Sequence, residues 1–180
     1  MLTLITGGIR SGKSAYALER AKEFSGLKTF VATAEPLDEE MKIRIKSHQR
    51  ERSADFLTLE EPLHLSRALK KVPSNCGLVL IDCLTLWVNN LLFYSQKNPD
   101  QIENEIQMFE EELSSQARDI LIVTNEVGLG LISENALSRQ YIDLLGRLNQ
   151  KIAKLCDEVV LLVSGIPTRI KGEIHARLDN

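Results

Sequence analysis

The fold of this chain is decided by the stretch Gly7-Gly8-Ile9-Arg10-Ser11-Gly12-Lys13-Ser14. It matches the pattern G-x-x-x-x-G-K-[ST] at every fixed position and directly follows the apolar run 2–6. Glycines allow the backbone to turn so that consecutive N–H groups point at phosphate oxygens. A chance match in an ordinary glycine turn is the alternative, but a predicted strand before the stretch and a predicted helix after it favour a phosphate-binding loop (P-loop).

Each part of this loop has an expected role. Lys13 reaches the β- and γ-phosphates of a nucleotide, and the hydroxyl of Ser14 binds Mg²⁺. The helix that begins near Ser14 directs the positive end of its dipole at the anion. The sequence therefore predicts a nucleotide-binding loop made of Gly7, Gly8, Ile9, Arg10, Ser11, Gly12, Lys13 and Ser14.

Composition sets limits on the class of protein. With 180 residues, 43% hydrophobic and 26% charged, the chain is predicted to form one globular domain over residues 1–180. Its net charge of −3 gives no general attraction to nucleic acid or anionic membranes. No apolar run approaches the roughly 20 residues of a membrane helix, and no leader precedes the first strand, so we expect a cytoplasmic protein. The three cysteines are widely spaced, which indicates free thiols rather than a disulfide or zinc site.

Strands and helices are predicted to alternate along the chain. This order indicates an α/β fold of three layers, with a mainly parallel central sheet and right-handed crossovers. The stretch 56–59 is a weaker candidate for a strand, and the tail 165–180 carries no firm signal. Clear buried strands are predicted at 2–6, 28–33, 77–82, 119–124 and 158–164.

Asp82 ends a continuous apolar run, at the position of a Walker-B carboxylate. Together with Ser14 it would hold Mg²⁺ beside the phosphates. The alternative is an aspartate that caps the following turn. Its place after a buried strand favours the metal-binding interpretation.

His48 lies in a predicted helix from about Asp38 to Arg52, on the same face as Met41 and Ile45. A histidine in such a pattern is usually a packed side chain. However, five cations lie on the same helix, and they could hold a polyphosphate near the imidazole. A solvated helix face is the other explanation of these charges. An unprotonated imidazole beside a nucleoside triphosphate could attack the α-phosphorus.

Several blocks in a fixed order make this sequence similar to the bifunctional adenosylcobinamide kinase / adenosylcobinamide-phosphate guanylyltransferase family of cobalamin biosynthesis. Ser133, where proline is expected, and Asp82, which is glutamate in some relatives, are small departures. The blocks are Thr6–Ser14, Asp38–Met41 with Arg44–His48, Asp82–Trp87 with Asn89–Leu92, Val123–Gly128, Gly146–Gln150 and Val163–Gly165.

The resemblance implies a two-step chemistry. His48 would take GMP from GTP, release pyrophosphate and pass GMP to adenosylcobinamide phosphate. The same protein would phosphorylate the aminopropanol hydroxyl of adenosylcobinamide with ATP or GTP. The resemblance also implies a homotrimer, with the corrinoid and nucleoside triphosphates as small-molecule partners. Further nucleotide contacts would fall on Ala32, Thr33, Ala34, Gln49, Arg50, Glu51, Arg52, Glu60 and Asp82.

Two other functions remain as alternatives. One is a simple P-loop kinase of small molecules without nucleotidyl transfer. The other is a regulatory GTPase, which is disfavoured because the N-K-x-D signature is missing: the loop Asn125–Gly128 has Glu126 at the lysine position. That loop follows a buried strand, where loops of α/β proteins contact ligands.

Overall fold

A computed structural model describes residues 1–36, 38–50, 53–95, 98–130 and 133–172, without the side chains of Arg44, Ser47 and His48. Seven strands form one sheet in the order β3-β2-β4-β5-β1-β6-β7. All strand pairs are parallel except β6 with β7. The strands are β1 Leu2–Gly7, β2 Lys28–Ala32, β3 Phe56–Glu60, β4 Leu78–Asp82, β5 Asp119–Val123, β6 Glu158–Val163 and β7 Ile166–Lys171. The helices are α1 Lys13–Ala21, α2 Glu39–Arg50, α3 Leu65–Lys71, α4 Leu84–Tyr94, α5 Pro99–Ser115 and α6 Ala136–Leu155.

Two apolar clusters place helices on both faces of the sheet. On one face Ala17 and Ala21 of α1 pack against Ile5, Leu80 and their neighbours. On the other, side chains of α3, α4, α5 and α6 pack against the alternate residues of the same strands. Strands that are covered on both faces need continuous apolar runs, which explains the sequence pattern. The predicted three-layer α/β fold with a mainly parallel sheet is confirmed.

The sheet carries the P-loop strand near its middle. β1 pairs with β5 on one side and with β6 on the other. β5 in turn pairs with β4, so that Val123 is the register partner of both Ile5 and Asp82. The parallel strands therefore bring the P-loop and the end of β4 to the same edge of the sheet, where α/β proteins bind ligands.

The tail differs from the sequence prediction, which gave no strand there. β7 runs antiparallel to β6 after a tight turn in which Ser164 and Gly165 both have positive φ, 53° and 83°. Two such residues form the type I′ turn that matches the twist of a hairpin. Every residue of β7 is exposed, and it therefore lacks the buried apolar run that identified the other strands.

Helix ends and lengths follow local signals. Asn98 and Asn135 cap α5 and α6 by accepting from the backbone N–H groups of Asp100 and Ser138. Within the described ranges, every helix is too short or too polar to cross a lipid bilayer.

Candidate active site

The P-loop wraps around the ammonium group of Lys13. That group donates to the carbonyl oxygen of Gly8 at 2.6 Å and lies 3.4 Å from Ser11 Oγ. Lys13 is 7% exposed, and Ser11 8%. Gly12 has φ 94°, which a residue with a Cβ rarely adopts, and its carbonyl accepts from Tyr16 N to begin α1. The loop thus has the form that the sequence predicts, with its cation at the centre.

A hydroxyl and a carboxylate lie next to this loop. Ser14 Oγ donates to Asp82 Oδ1 at 3.4 Å. Both groups carry hard oxygen atoms, the ligands that Mg²⁺ prefers, and one carboxylate with phosphate oxygens is a usual set for this ion. The two residues therefore fit a magnesium ion shared with a nucleotide. The described residues contain no cluster of three or more His, Cys, Asp or Glu side chains that could hold a metal alone.

Thr33 fixes the chain just after Asp82. Its hydroxyl accepts from Cys83 N at 2.8 Å and lies 2.9 Å from Cys83 O, while its own N–H donates to Asp82 O. Thr33 is fully buried. Burial raises the pKa of the Cys83 thiol, and the charge of Asp82 adds to the effect. Thr33 therefore supports the Asp82 backbone from the neighbouring strand.

The ends of β2 and β3 extend this edge. Ala32 is the register partner of both Asp82 and Glu60, so the three strands end side by side. Ala32 and Ala34 are half-buried, and Glu60 is exposed. Asp82 contacts the P-loop through Ser14, and Ala32, Thr33 and Ala34 lie at and just after the end of the strand beside it. Glu60 lies at the same end of the sheet but on the outermost strand, with β2, β4 and β5 between it and the P-loop strand.

The backbone of His48 lies in the last turns of α2. Its side chain lies outside the described part of the structure, as do residues Glu51 and Arg52. Gln49 and Arg50 are exposed. Lys42 and Lys46 are exposed as well, while Met41 and Ile45 are half-buried. The predicted helix with one apolar and several cationic faces is therefore present, and the placement of the imidazole stays a prediction.

A groove of about 410 Å³ is lined by residues that begin with Gln49, the residue that follows His48 in the sequence. It gathers two residues that were predicted to bind nucleotide, Gln49 and Glu60, and four that were not. The four residues that were not predicted lie in the chain between Gln49 and Glu60, and this position is the only sign of them in the sequence. The groove is lined by Gln49, Ser53, Ala54, Phe56, Thr58 and Glu60.

A polar network crosses the carboxyl ends of β4, β5 and β1. Thr85, in the first turn of α4, accepts from both nitrogens of Asn125, and Asn149 Nδ2 donates to Asn125 O. Glu126 Oε1 accepts from Thr6 Oγ1 at 2.8 Å and from Asn149 Nδ2 at 3.4 Å. The network thus links the end of β4 with the start of the P-loop.

Comparison with protein families gives one match that spans residues 3–170, to the family described as cobinamide kinase / cobinamide phosphate guanyltransferase. A bifunctional adenosylcobalamin biosynthesis protein, CobP, from Pseudomonas aeruginosa is 41% identical and is aligned over 96% of this chain and 99% of its own length. The corresponding CobU proteins of Salmonella typhimurium and Escherichia coli are 37% and 36% identical, over 95% of this chain and all of theirs.

Two solved structures with the same fold are more distant in sequence. The RadB recombinase has a TM-score of 0.52 at 18% identity, covering 89% of this chain and 73% of its own. An ATPase from the type III secretion system of pathogenic bacteria has a TM-score of 0.53 at 9% identity, covering 89% and 50%. At these identities the likeness shows the fold alone, and it agrees with the P-loop architecture.

Proposed function

The chain belongs to the cobinamide kinase / cobinamide phosphate guanyltransferase family, and on that premise we propose how its residues divide the two reactions. It is a transferase of cobalamin biosynthesis, with adenosylcobinamide kinase and adenosylcobinamide-phosphate guanylyltransferase activities. Phosphoryl transfer is assigned to the P-loop edge of the sheet. Nucleotidyl transfer is assigned to His48 and the groove that follows it.

In the kinase reaction, the P-loop binds the phosphates of ATP or GTP. Its backbone N–H groups and the buried ammonium of Lys13 stabilise the charge that develops on the transferring phosphoryl group. Ser14 and Asp82 are the proposed Mg²⁺ ligands. A magnesium ion held by these two residues would neutralise phosphate charge and orient the phosphates. Thr33 keeps Asp82 in place through the backbone of the next residue.

In the guanylyltransferase reaction, an imidazole nitrogen of His48 attacks the α-phosphorus of GTP, and pyrophosphate leaves. The phosphate of adenosylcobinamide phosphate then attacks the same phosphorus and releases His48. The observation that supports this proposal is the groove that begins at Gln49, one residue after His48. Its volume falls within the range of small-molecule sites, and we propose that it holds the guanosine. Arg50, Glu51 and Arg52 are the proposed neighbours of its phosphates.

A homotrimer is the proposed assembly. The hairpin of β6 and β7 supports an interface between copies, since it exposes Val163, Ile166 and Ile170 by 56%, 67% and 60%. Grouped apolar side chains of this kind commonly mark interaction sites. Light scattering after size exclusion checks the proposal: a mass near 20 kDa would contradict it, and one near 60 kDa would support it.

The proposed guanylylation is tested with [α-³²P]GTP and Mg²⁺. Wild-type protein is expected to take up acid-labile, alkali-stable label, and His48→Ala is expected to take up none. His64→Ala is the matched control, because His64 is tied to Glu105 of α5 rather than lying next to the groove. Absence of label from the wild type would leave only a simple P-loop kinase, the alternative that needs no histidine.

A further inference from the structure

Glu126 lies against the first residue of the P-loop. Its backbone N–H donates to Gly7 O at 3.0 Å, and its Oε1 accepts from Thr6 Oγ1 at 2.8 Å. It follows β5, the strand between β1 with its P-loop and β4 with Asp82. The carboxylate therefore lies at the side of the phosphate cradle, at the same edge of the sheet as the proposed magnesium ligands.

Within the described part of the chain, hydrogen bonds reach only one oxygen of this carboxylate. The described residues donate no hydrogen bond to Oε2, and none of their cations forms an ion pair with Glu126. The residue is half-buried. A negative charge beside a phosphate-binding loop weakens the binding of phosphate through repulsion. A glutamine would accept the same bonds on Oε1 without that cost, so the charge itself points to a use in the chemistry.

The hydrogen bonds on Oε1 hold the carboxylate in one orientation. Thr6 is 2% exposed and Asn149 6% exposed, and Asn149 is in turn held by Thr124 at 2.8 Å. Rigid support by neighbouring hydrogen bonds is what a general base needs, because its reach must match the position of the proton that it takes.

We propose that Glu126 is the general base of the kinase reaction and receives the hydroxyl proton of the corrinoid substrate; this inference rests on the proposed function of the P-loop. The O–H bond breaks and its proton moves to Glu126 Oε2, while the hydroxyl oxygen forms a bond with the γ-phosphorus. The bond from that phosphorus to the β,γ-bridging oxygen breaks, and its electron pair leaves with the nucleoside diphosphate. The proton on Glu126 is then released to solvent.

Glu126→Gln is the decisive variant, since it keeps an acceptor for Thr6 but removes the base. We expect kcat for phosphorylation of adenosylcobinamide by [γ-³²P]GTP to fall about 10²- to 10³-fold, the size of a lost general base. The KM for GTP and the labelling of the protein by [α-³²P]GTP should stay near the wild-type values.

Glu105→Gln is the matched control, because it makes the same change in a hydrogen-bonded carboxylate of α5. Kinase activity within fivefold of wild type in Glu126→Gln overturns the inference. So does a loss that excess Mg²⁺ restores, which would make Glu126 a metal ligand, or an equal loss of both reactions in a folded variant, which would indicate a general structural effect.

A second variant covers the case in which Glu126→Gln does not fold. Glu126→Asp keeps the charge but withdraws it by one methylene, and the kinase kcat should fall at least tenfold while GMP labelling persists. An unchanged kcat overturns the inference. A wild type that phosphorylates the corrinoid but takes up no GMP label refutes the assignment of His48 and leaves the Glu126 test intact.

Discussion

The P-loop (residues 7–14) and the segment of α2 and β3 (residues 39–60) differ sharply in how deeply they are packed against the rest of the protein. The P-loop follows β1, a strand of a sheet that has helices packed on both faces. Its Lys13 is only 7% exposed. By contrast, none of the described side chains of α2 is buried, and β3 exposes Leu57, Thr58 and Glu60 at the edge of the sheet. The proposed site of phosphoryl transfer is thus built into the core, and the proposed site of nucleotidyl transfer lies on the surface.

This difference suggests a division of tasks. Phosphoryl transfer needs a fixed cradle, because its catalysis is mainly positioning and electrostatics. A nucleophile that accepts GMP from one partner and gives it to another must face two substrates in turn. An exposed helix beside an open groove of about 410 Å³ suits such an exchange. Substitutions in the two regions should therefore have separable effects.

The largest expected effect separates Lys13 from His48. Lys13→Ala removes the cation at the centre of the loop, and the kinase reaction should fall about 10³-fold. GMP labelling should stay near the wild-type level, since the GTP for that step is proposed to bind in the groove. His48→Ala should lose GMP labelling alone. Parallel assays with [γ-³²P]GTP and [α-³²P]GTP measure the two. Lys22→Ala, which removes an exposed lysine of the segment after α1, is the control. Loss of labelling in Lys13→Ala would show that the GTP for guanylylation also binds at the P-loop, which would contradict the comparison.

The next effect concerns the stability of the protein and the close packing at the start of the P-loop. A Cβ on Gly7 would lie 2.4 Å from Leu162 O and 2.7 Å from Ser11 Oγ, and the residue has φ 151°. We expect Gly7→Ala to lower the free energy of unfolding by about 3 kcal/mol, through overpacking and backbone strain. Gly8→Ala meets nothing within 4 Å and should change it by less than about 0.5 kcal/mol. Urea denaturation of both variants gives the numbers, and equal midpoints would contradict the close packing of Gly7.

The sequence predicted the buried strands and the P-loop better than the exposed strand β7. Continuous apolar runs identify β1, β2, β4, β5 and β6, because burial on both faces demands them. The glycine pattern of the P-loop is equally direct, since its spacing is set by phosphate geometry. β7 was missed because an exposed edge strand needs no buried apolar run: Pro167, Thr168 and Arg169 lie between its exposed isoleucines.

Site residues could be predicted from the sequence only where the spacing of neighbouring residues, or the end of a predicted strand, indicates their position. Asp82 and the P-loop residues meet because parallel strands end at one edge, which the sequence implies. Glu126 was found only as part of a loop, since its bond to Thr6 joins residues 120 positions apart. Phe56 and Thr58 line the groove through the pairing of β3 with β2, and no sequence period shows that contact.

A smaller effect is expected from the cap of α2. Asp38 Oδ1 accepts from Met41 N at 2.7 Å at the start of the helix. Asp38→Ala should cost about 1 kcal/mol of local helix stability. Amide exchange in α2 should then rise about fivefold, and GMP labelling should fall by a similar factor while kinase activity is kept.

The same change at a packed helix provides the control for this cap. Asn98→Ala removes the cap of α5, whose apolar face is buried by Ile102, Ile106 and Phe109. It should lower the global free energy of unfolding by about 1 kcal/mol without altering the ratio of the two activities. If Asp38→Ala also reduced kinase activity, the two regions would be coupled and the comparison would fail.

The smallest effect is expected for alkylation of the buried thiol of Cys156, which should not react until the protein unfolds. Cys156 is 2% exposed, and burial raises its pKa to about 12. At pH 8 this thiol is protonated, and because the thiolate is the reactive form, iodoacetamide should leave it unmodified in the native protein. Ser53→Cys places a thiol in the exposed groove and should be alkylated within minutes under the same conditions. Mass spectrometry distinguishes the two positions.

The sign of the pH dependence follows from the same shift. Above about pH 8.5 the Cys156 thiol of the unfolded chain ionises, whereas the folded chain keeps its proton up to about pH 12. The folded state then binds more protons than the unfolded state, so the free energy of unfolding decreases as the pH rises through this window. Cys156→Ser should remove that part of the slope in urea titrations between pH 8 and 10. Prompt alkylation of native Cys156 at pH 8 would show that the core end of α6 opens as readily as the surface segment, which would remove the contrast between the two regions.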